Sequence, residues 1–275
     1  MTEATLRCGP YEVVPLLDGI FEAKPEVLSH TARAEALARA HEARQGAGVH
    51  IVVNAFALRG PDGVSLVDAG TGTAWGPALG HLRQALSGAG IDPATIRRVL
   101  LTHIHGDHAL GLLDGDAPWL PRAEILVPEA DLRFFTDPAA REAVPEARRG
   151  AFDIAARLQR AYGARLQTIP PGPVAAMPGI EAHPLPGHTP GHSGFLLRGA
   201  PRDLLLWADA LHLLHEQAAD PELGLTFDLD PVQAMHTRRA MLAEAAERGW
   251  VIGGAHVPGF SRVERAGEAF RILPA

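Results

Sequence analysis

The stretch THIHGDH, residues 102–108, places three histidines and one aspartate within six consecutive positions. It follows the apolar run VLL, which is typical of a buried strand. Alternate side chains of an extended segment share a face, so His103 and His105 point the same way. Asp107 and His108 fall in the turn beyond the strand and approach from another side. Because unpaired imidazoles and carboxylates are costly to bury, and a divalent cation satisfies nitrogen and oxygen donors together, the stretch predicts a site for one or two metal ions.

A metal ion also needs ligands from elsewhere in the chain, so the fold must bring distant segments to the same place. Three further motifs each end an apolar run with a polar donor. PLPGHTPGHSG places His188 in a turn rich in glycine and proline. LLLWADA places Asp209, and VIGGAHVPG places His256, at the end of a buried strand. The alternative interpretation is a set of solvated loop histidines.

Composition excludes several classes of protein. With 275 residues, of which 47% are hydrophobic, the chain can bury a core in one large domain or two small ones. The net charge is −7 and no block of like charge stands out, so we expect no nucleic-acid partner. The single cysteine, Cys8, cannot form an intramolecular disulfide, and we expect a packed thiol. The chain shows neither a signal-peptide pattern nor a long apolar run, so we expect a cytoplasmic protein without a membrane partner.

Strand and helix patterns alternate in both halves of the chain. Residues 50–58 and 63–70 are β-branched, apolar runs around the turn signature RGPDG, which predicts a hairpin. The loop-rich stretch PPGPVAAMPG, residues 170–179, is the best candidate for a seam between halves. Helices are predicted at about 75–90, 129–135, 138–162 and 230–249, and strands at 123–128, 165–169, 180–185, 194–199, 203–209 and 250–256.

The stretches SLVDAG, THIHGDH, PGHTPGHS, LLWADALH and GAHVPG together resemble the metallo-β-lactamase superfamily, over nearly the whole chain. The resemblance is strongest to the dinuclear branch that contains methyl parathion hydrolase and the N-acyl homoserine lactonases. It implies an α/β fold, the αβ/βα sandwich, in which two mixed sheets face each other with helices outside and the metals at one edge. It also implies one domain over residues 1–275, made of two pseudo-symmetric halves with the seam near 170–179.

The resemblance implies a role for each donor. His103, His105 and His188 would bind one ion, and Asp107, His108 and His256 the other, with Asp209 bridging both. Asp107 and Asp209 are the candidate catalytic carboxylates. We expect two divalent ions, zinc first, with manganese, iron or cobalt as alternatives, because metal availability competes with intrinsic affinity. Asp68 resembles a carboxylate that orients a ligand histidine, and a turn aspartate bonded to its own backbone is the alternative.

The activity implied by the resemblance is hydrolysis of a small molecule by a hydroxide that bridges the two ions. Since the net charge is −7 and Lys24 is the only lysine, the sequence offers no evident clamp for a polyanionic substrate. We therefore expect uncharged, partly apolar esters, including lactones and phosphotriesters. Selectivity is expected in loops around residues 20–40, 134–160 and 211–227. A monomer and a homodimer are both compatible with the sequence.

Three alternatives remain less favoured. A β-lactamase would use a zinc-bound cysteine and a lysine that have no counterpart after Cys8 and Lys24. A glyoxalase II-like thioesterase would need a helical domain after the last ligand motif, where only residues 257–275 follow His256. A non-catalytic member would usually have lost ligands. Lactonases often place a tyrosine beside the metals, but Tyr11 and Tyr162, the only tyrosines, follow no ligand motif.

Other histidines and aromatic residues carry weaker expectations. Histidines close to the ligand motifs are expected to pack or to form hydrogen bonds, with a role beside the metals or in the pocket as the alternative; these are His192, His212 and His215. Several aromatic residues could line an apolar pocket, but aromatic side chains are more often part of a core. These are Trp119, Phe134, Phe135, Phe227 and Phe260.

Overall fold

The computed structural model describes residues 5–275, and two seven-stranded sheets hold most of its strands. In chain order the strands are β1 Leu6–Cys8, β2 Tyr11–Ala23, β3 Leu28–His30, β4 Val49–Gly60, β5 Gly63–Val67, β6 Ile96–Leu100, β7 Leu113–Asp114, β8 Ala117–Pro118, β9 Glu124–Pro128, β10 Leu166–Ile169, β11 Gly172–Pro173, β12 Ile180–Pro184, β13 Ser193–Leu197, β14 Leu204–Leu206, β15 Leu223–Leu225, β16 Val251–Gly253, β17 Ser261–Ala266 and β18 Ala269–Pro274. The helices are α1 Ala34–Arg44, α2 Leu82–Gly88, α3 Gly106–Ala109, α4 Glu129–Phe135, α5 Pro138–Ala143, α6 Gly150–Tyr162, α7 Leu214–Ala219 and α8 Pro231–Arg248.

Both sheets are mixed. The first runs β1-β2-β4-β5-β6-β9-β10, antiparallel up to β5 and parallel from there on. The second runs β11-β12-β13-β14-β16-β17-β18, with β14 and β16 as its one parallel pair. The chain passes from the first sheet to the second between Ile169 and Gly172.

Alternating side chains explain why the two sheets pack face to face. Along β4, Phe56 and Leu58 belong to a buried cluster shared with strands of the second sheet. Ala55 and Ala57 belong instead to a cluster shared with α2 and α6 on the other side. The outer face of the second sheet packs in the same way against α7 and α8. The predicted αβ/βα sandwich is confirmed.

Parallel strands bring polar residues to one edge of this sandwich. Asp68 directly follows β5, and the segment that contains His103 follows β6, its parallel neighbour. In the second sheet, Asp209 follows β14 and His256 follows β16, which are also parallel neighbours. Because the carboxyl ends of neighbouring parallel strands lie at the same edge, these four segments meet there.

Most predicted elements are confirmed, including the hairpin of β4 and β5 and the capped helix α8. The helix predicted over 138–162 is wrong in its middle, because α5 ends at Ala143 and α6 begins at Gly150. Pro145 forces the preceding Val144 into extended backbone, φ −89° and ψ 141°, and this ends α5.

The helix predicted over 75–90 is also shorter than expected, since α2 begins only at Leu82. The buried carboxylate of Asp18 accepts hydrogen bonds from the backbone amides of Thr71, Gly80 and Leu82. These bonds fold residues 71–81 into a compact loop that carries Trp75. A carboxylate 62 positions from Gly80 in sequence is invisible to helical periodicity.

Cys8 is a packed thiol, 2% exposed, whose Sγ lies 3.3 Å from the carbonyl oxygen of Leu197. Between residues 5 and 275, no helix combines the length and the apolar character needed to cross a bilayer.

Candidate metal centre

The side chains predicted as metal ligands converge in two adjacent groups at the shared edge of the sheets. Within each group all donor atoms lie within 4.8 Å of one another. The first group is His103, His105, His188 and Asp209, and the second is Asp107, His108 and His256. The donor atoms of Asp209, His212 and His256 lie equally close to one another.

Asp209 lies between the two groups. Its Oδ1 is 3.1 Å from Nε2 of His108, in the second group. Its Oδ2 is 3.1 Å from Nε2 of His188, in the first group, and 3.1 Å from Nε2 of His256, in the second. The carboxylate therefore has one oxygen or the other within reach of both groups, as a bridging ligand requires.

The donor set fits divalent metal ions. Nε2 of His103, Nε2 of His108 and Oδ1 of Asp209 are buried without a hydrogen-bond partner. The 3.1 Å contact between the last two atoms lacks hydrogen-bond geometry. An unpartnered polar atom in the interior costs about 1–3 kcal/mol. A cation coordinated by nitrogen and oxygen removes this cost, and imidazole with carboxylate is a set that zinc and its first-row neighbours accept.

Outside the cluster, fixed acceptors orient three of the histidines. Each ring directs Nδ1 to an acceptor and Nε2 into the cluster, which leaves the Nε2 lone pair free for a cation. The contacts are His108 Nδ1 to Asp68 Oδ2 at 2.8 Å, His188 Nδ1 to Asp228 Oδ1 at 2.9 Å, and His256 Nδ1 to the Val52 carbonyl oxygen at 2.7 Å.

His105 is reversed relative to these three. Its Nδ1 faces the cluster, 2.9 Å from Nε2 of His188.

Asp68 orients a histidine of the cluster, which is one of the two roles expected for it. Its carboxylate contacts Nδ1 of His108 and accepts a hydrogen bond from the backbone amide of Thr102. It adopts a left-handed backbone with φ 62°, an uncommon conformation that the surrounding contacts hold in place.

Burial controls the charge of the histidines. Burial lowers the pKa of His103 well below its usual range and that of His105 to about 3. Burial also acts on His188, but the carboxylates of Asp209 and Asp228 outweigh it and raise that pKa to about 9. Burial therefore favours the neutral form of His103 and His105, and the neighbouring carboxylates favour the charged form of His188.

Two neighbouring histidines support Asp209. His192 directs Nδ1 to the Leu185 carbonyl oxygen at 2.7 Å, and its Nε2 accepts from the backbone amide of Asp209 at 3.1 Å. The expected hydrogen-bonding role of His192 is confirmed. His212 stacks on His256 with ring centroids 4.5 Å apart, and its Nε2 lies 3.3 Å from Oδ2 of Asp209. Its Nδ1 is buried without a partner. His215, by contrast, is exposed on α7.

A cavity of about 550 Å³ opens directly onto the donors. Aromatic side chains form one wall, with ring centroids 5.8 Å apart for Phe21 and Trp75 and 6.5 Å apart for Phe21 and Phe227. Other apolar residues complete its lining: Ile51, Leu110, Phe135, Ile154 and Leu229.

The sequence predicts only part of the lining of this cavity. Of the five aromatic candidates, Phe135 and Phe227 line it. The others pack into buried clusters: Trp119 and Phe134 under the first sheet, and Phe260 between the sheets. Phe21 lies in one of the expected loop ranges, whereas Trp75 was predicted to be helical. The two tyrosines donate to carbonyl oxygens elsewhere, Tyr11 to Pro178 and Tyr162 to Leu112.

Asp131 is a buried carboxylate that the sequence analysis missed. Its oxygens accept from the backbone amide of Ile104 and from the hydroxyl of Thr189, so it joins the loops that carry His105 and His188. Burial raises its pKa to about 6. It lies in the first turn after β9, the same position beyond a buried strand that identified the other polar residues.

A separate cluster of His30, Asp220 and Glu222 also has donor atoms close together. Nδ1 of His30 accepts from the backbone amides of Ala32 and Arg33, so the proton of the neutral ring is on Nε2. The guanidinium of Arg33 already contacts both carboxylates. This cluster holds β3 to residues 220–222 and is not a metal site.

Comparison with known proteins gives one family and several similar folds. A family model described as the metallo-beta-lactamase superfamily matches residues 49–256. No curated protein sequence matches the chain.

Three solved structures have similar folds. AbOPH, described as a hydrolase in the beta-lactamase superfamily, is 24% identical, with a TM-score of 0.89 over 100% of this chain and 97% of that one. AidC, described as a dizinc quorum-quenching lactonase, is 20% identical, with a TM-score of 0.86 over 100% and 97%. A probable metal-dependent hydrolase from Staphylococcus aureus is 16% identical, with a TM-score of 0.76 over 98% and 99%.

Proposed function

The chain belongs to the metallo-beta-lactamase superfamily as a metal-dependent hydrolase, and we propose that it cleaves uncharged esters with two divalent metal ions. Lactones, carboxylic esters and phosphotriesters are the substrate classes in question. The observation that carries this proposal is the convergence of all seven donors, five of which line one largely apolar cavity. Zinc is the expected metal because imidazole and carboxylate ligands suit it.

In this proposal the two ions have the ligands that the two groups of donors define. His103, His105 and His188 would hold the first ion, and Asp107, His108 and His256 would hold the second. When bound, such ions supply an activated water at neutral pH and stabilise negative charge on the substrate oxygen. Asp209 would be a ligand of both ions and would accept the proton of the attacking water. Its backbone amide is fixed by Nε2 of His192 at 3.1 Å, which holds the carboxylate in line with both groups.

The walls of the cavity favour a neutral substrate. Two arginines line it, but both guanidinium groups are engaged within the protein. Arg148 donates to the carbonyl oxygens of Thr226 and Asp228, and Arg157 contacts Asp116. Lys24, the only lysine in the sequence, is not among the lining residues described. Apolar walls without a free cation fit a partly apolar ester and oppose a polyanion.

Similarity of fold supports the same substrate range. AidC is described as a lactonase in complex with its product, an acyl homoserine. The first structure compared, AbOPH, is described as a hydrolase. The alignments cover 97% of each of these two chains, so the architecture of this chain is present almost throughout both.

A substrate panel at neutral pH tests the proposal. It compares an aryl ester, an acyl homoserine lactone, a phosphotriester, a cephalosporin and a glutathione thioester. We expect the highest kcat/KM for one of the three neutral esters. If the cephalosporin or the thioester gave a value tenfold above every ester, about 1.4 kcal/mol of transition-state preference, the proposed substrate class would be wrong.

Arg148 should control how well the cavity holds such a substrate. Its two hydrogen bonds join residues 146–150 to the wall segment that contains Phe227. Loss of two hydrogen bonds costs roughly 1–2 kcal/mol, so Arg148→Gln should raise KM for the best ester about tenfold. The kcat should stay within about twofold, because the metal ligands are untouched. Steady-state kinetics separates the two constants.

Arg149 provides the matched control. It is the next residue, but its guanidinium donates only to Val144 and Glu142 on its own loop. Arg149→Gln should leave KM close to the wild-type value. Equal KM values for the two variants would show that Arg148 does not hold the wall.

A further inference from the structure

Arg238 is the most deeply buried arginine of the described chain, and the proposed function gives it no role. It projects from α8, beneath the second sheet, and is 1% exposed. Burial lowers the pKa of its guanidinium. A buried ion pair adds little stability relative to apolar side chains of similar volume. Its presence therefore requires an explanation in terms of geometry.

The guanidinium is bonded to three segments of the metal centre and its wall. Nε donates to the carbonyl oxygen of Ala210, the residue after Asp209, at 2.8 Å. Nη1 donates to the carbonyl oxygens of Pro221 and Leu223 at 2.9 and 3.0 Å. Nη2 lies 3.5 Å from Oδ2 of Asp228. One planar group thus fixes the turn of the bridging carboxylate and both ends of residues 221–228.

Asp228 carries this arrangement to the metal centre. It is 2% exposed, and its Oδ1 contacts Nδ1 of His188 at 2.9 Å. Backbone hydrogen bonds support the contact, since the amide of Leu229 donates to the carbonyl oxygen of His188 and that of Asp230 to Gly187. The carboxylate holds the proton on Nδ1 and aims Nε2 at the donors.

We propose that Arg238 and Asp228 form a positioning unit that holds His188 and the turn of Asp209 in the geometry that binds the first metal ion. The inference rests on the proposed metal centre. The same unit holds residues 226–229, of which Thr226, Phe227 and Leu229 line the cavity, so the metal ligand and the substrate wall are positioned together. Neither residue touches the substrate in this role; both act through His188 and through the backbone of the wall.

Metal binding gives a direct test that does not depend on any substrate. Asp228→Asn removes the charge that faces His188 but keeps the shape of the side chain. Partners of this kind typically change metal affinity by about 10–100-fold. We expect the dissociation constant of one of the two ions, measured by competition with a chelating dye, to rise by about that factor, while the other changes less than about threefold.

Cobalt substitution shows which ion is affected. The visible spectrum of Asp228→Asn at one equivalent of cobalt should match that of His188→Ala, which removes a ligand of the first ion directly. Asp68→Asn, which acts on His108, should instead match His108→Ala. If Asp228→Asn weakened the binding of the second ion, or of neither ion, the proposed positioning unit would be disproved.

Asp220→Asn is the matched control. Asp220 also pairs with a histidine, since its Oδ2 is 3.2 Å from Nε2 of His30, but that histidine lies outside the metal centre. Both dissociation constants should stay within about twofold of wild type. An equal loss of metal in this variant would show a general effect of the substitution on the fold and would overturn the proposal.

Arg238→Lys gives an independent measurement. Lysine keeps the charge but cannot present the planar fork that reaches Ala210, Pro221 and Asp228 at once. Arg238→Lys should weaken the binding of the same ion as Asp228→Asn does. The double variant should lose less metal-binding free energy than the sum of the two single variants, because the two residues act as one unit. Additive losses of metal-binding free energy would show that the two residues act independently and would contradict the proposal. If the wild-type protein hydrolysed the proposed substrates but the variants had unchanged metal dissociation constants, this inference would be refuted and the proposed function would still hold.

Discussion

Asp209→Asn is expected to lower kcat by about 10³-fold or more, which is about 4 kcal/mol of transition-state stabilisation. Asp209 contacts donors of both groups, at 3.1 Å from His108, His188 and His256. The substitution removes one negative charge between two cations, and with it the proposed proton acceptor. Turnover of the best ester, measured with metal content, tests this expectation.

The control for this variant is Asp114→Asn, which changes an exposed aspartate paired with Arg83 at 3.7 Å. It should retain wild-type turnover. The bridging role would be wrong if Asp209→Asn kept wild-type turnover together with both ions. Loss of turnover with a single ion lost would still support it, because a bridging ligand serves both ions.

Removal of the metal is expected to abolish hydrolysis and to lower the melting temperature. Elemental analysis of protein purified without chelator should give close to two transition-metal ions per chain. After dialysis against a strong chelator the buried donors lose their cations, and stabilisation by mass action, about 4 kcal/mol at a metal concentration 1,000 times the dissociation constant, disappears. Adding zinc back should restore both activity and melting temperature.

His30→Ala separates this expectation from adventitious binding. The cluster of His30, Asp220 and Glu222 also brings donor atoms together, but its protons and Arg33 already satisfy it. The variant should keep two ions per chain. A count near zero in the wild type would favour a non-catalytic member of the superfamily, and a count of one would contradict the bridging role of Asp209.

The fold and the floor of the site were predictable because their signals are local. A buried strand is readable from its apolar run, and a polar residue at its end is unusual enough to note, as for Asp209 and His256. Family membership, the sandwich fold and the metal-dependent hydrolase class are confirmed. The roles of the individual ligands and the substrate stay predictions.

The supporting residues were not predictable, because their roles depend on contacts between distant segments. Asp228 and Arg238 stand in ordinary positions, a loop and the middle of a helix, and only the fold places them beside His188 and Ala210. Asp18 reshapes residues 71–81 from more than 50 positions away. Trp75 thereby becomes a cavity wall, which helical periodicity does not indicate.

The single passage of the chain between the sheets has a consequence for the two ions. Each proposed site combines ligands that precede Ile169 with ligands that follow Gly172, His105 with His188 in one and His108 with His256 in the other. Each ion, when bound by these ligands, would therefore also cross-link the two halves, as a disulfide that closes a long loop does. Metal supply would then set how tightly the two halves are held together, in addition to whether the chain can catalyse a reaction.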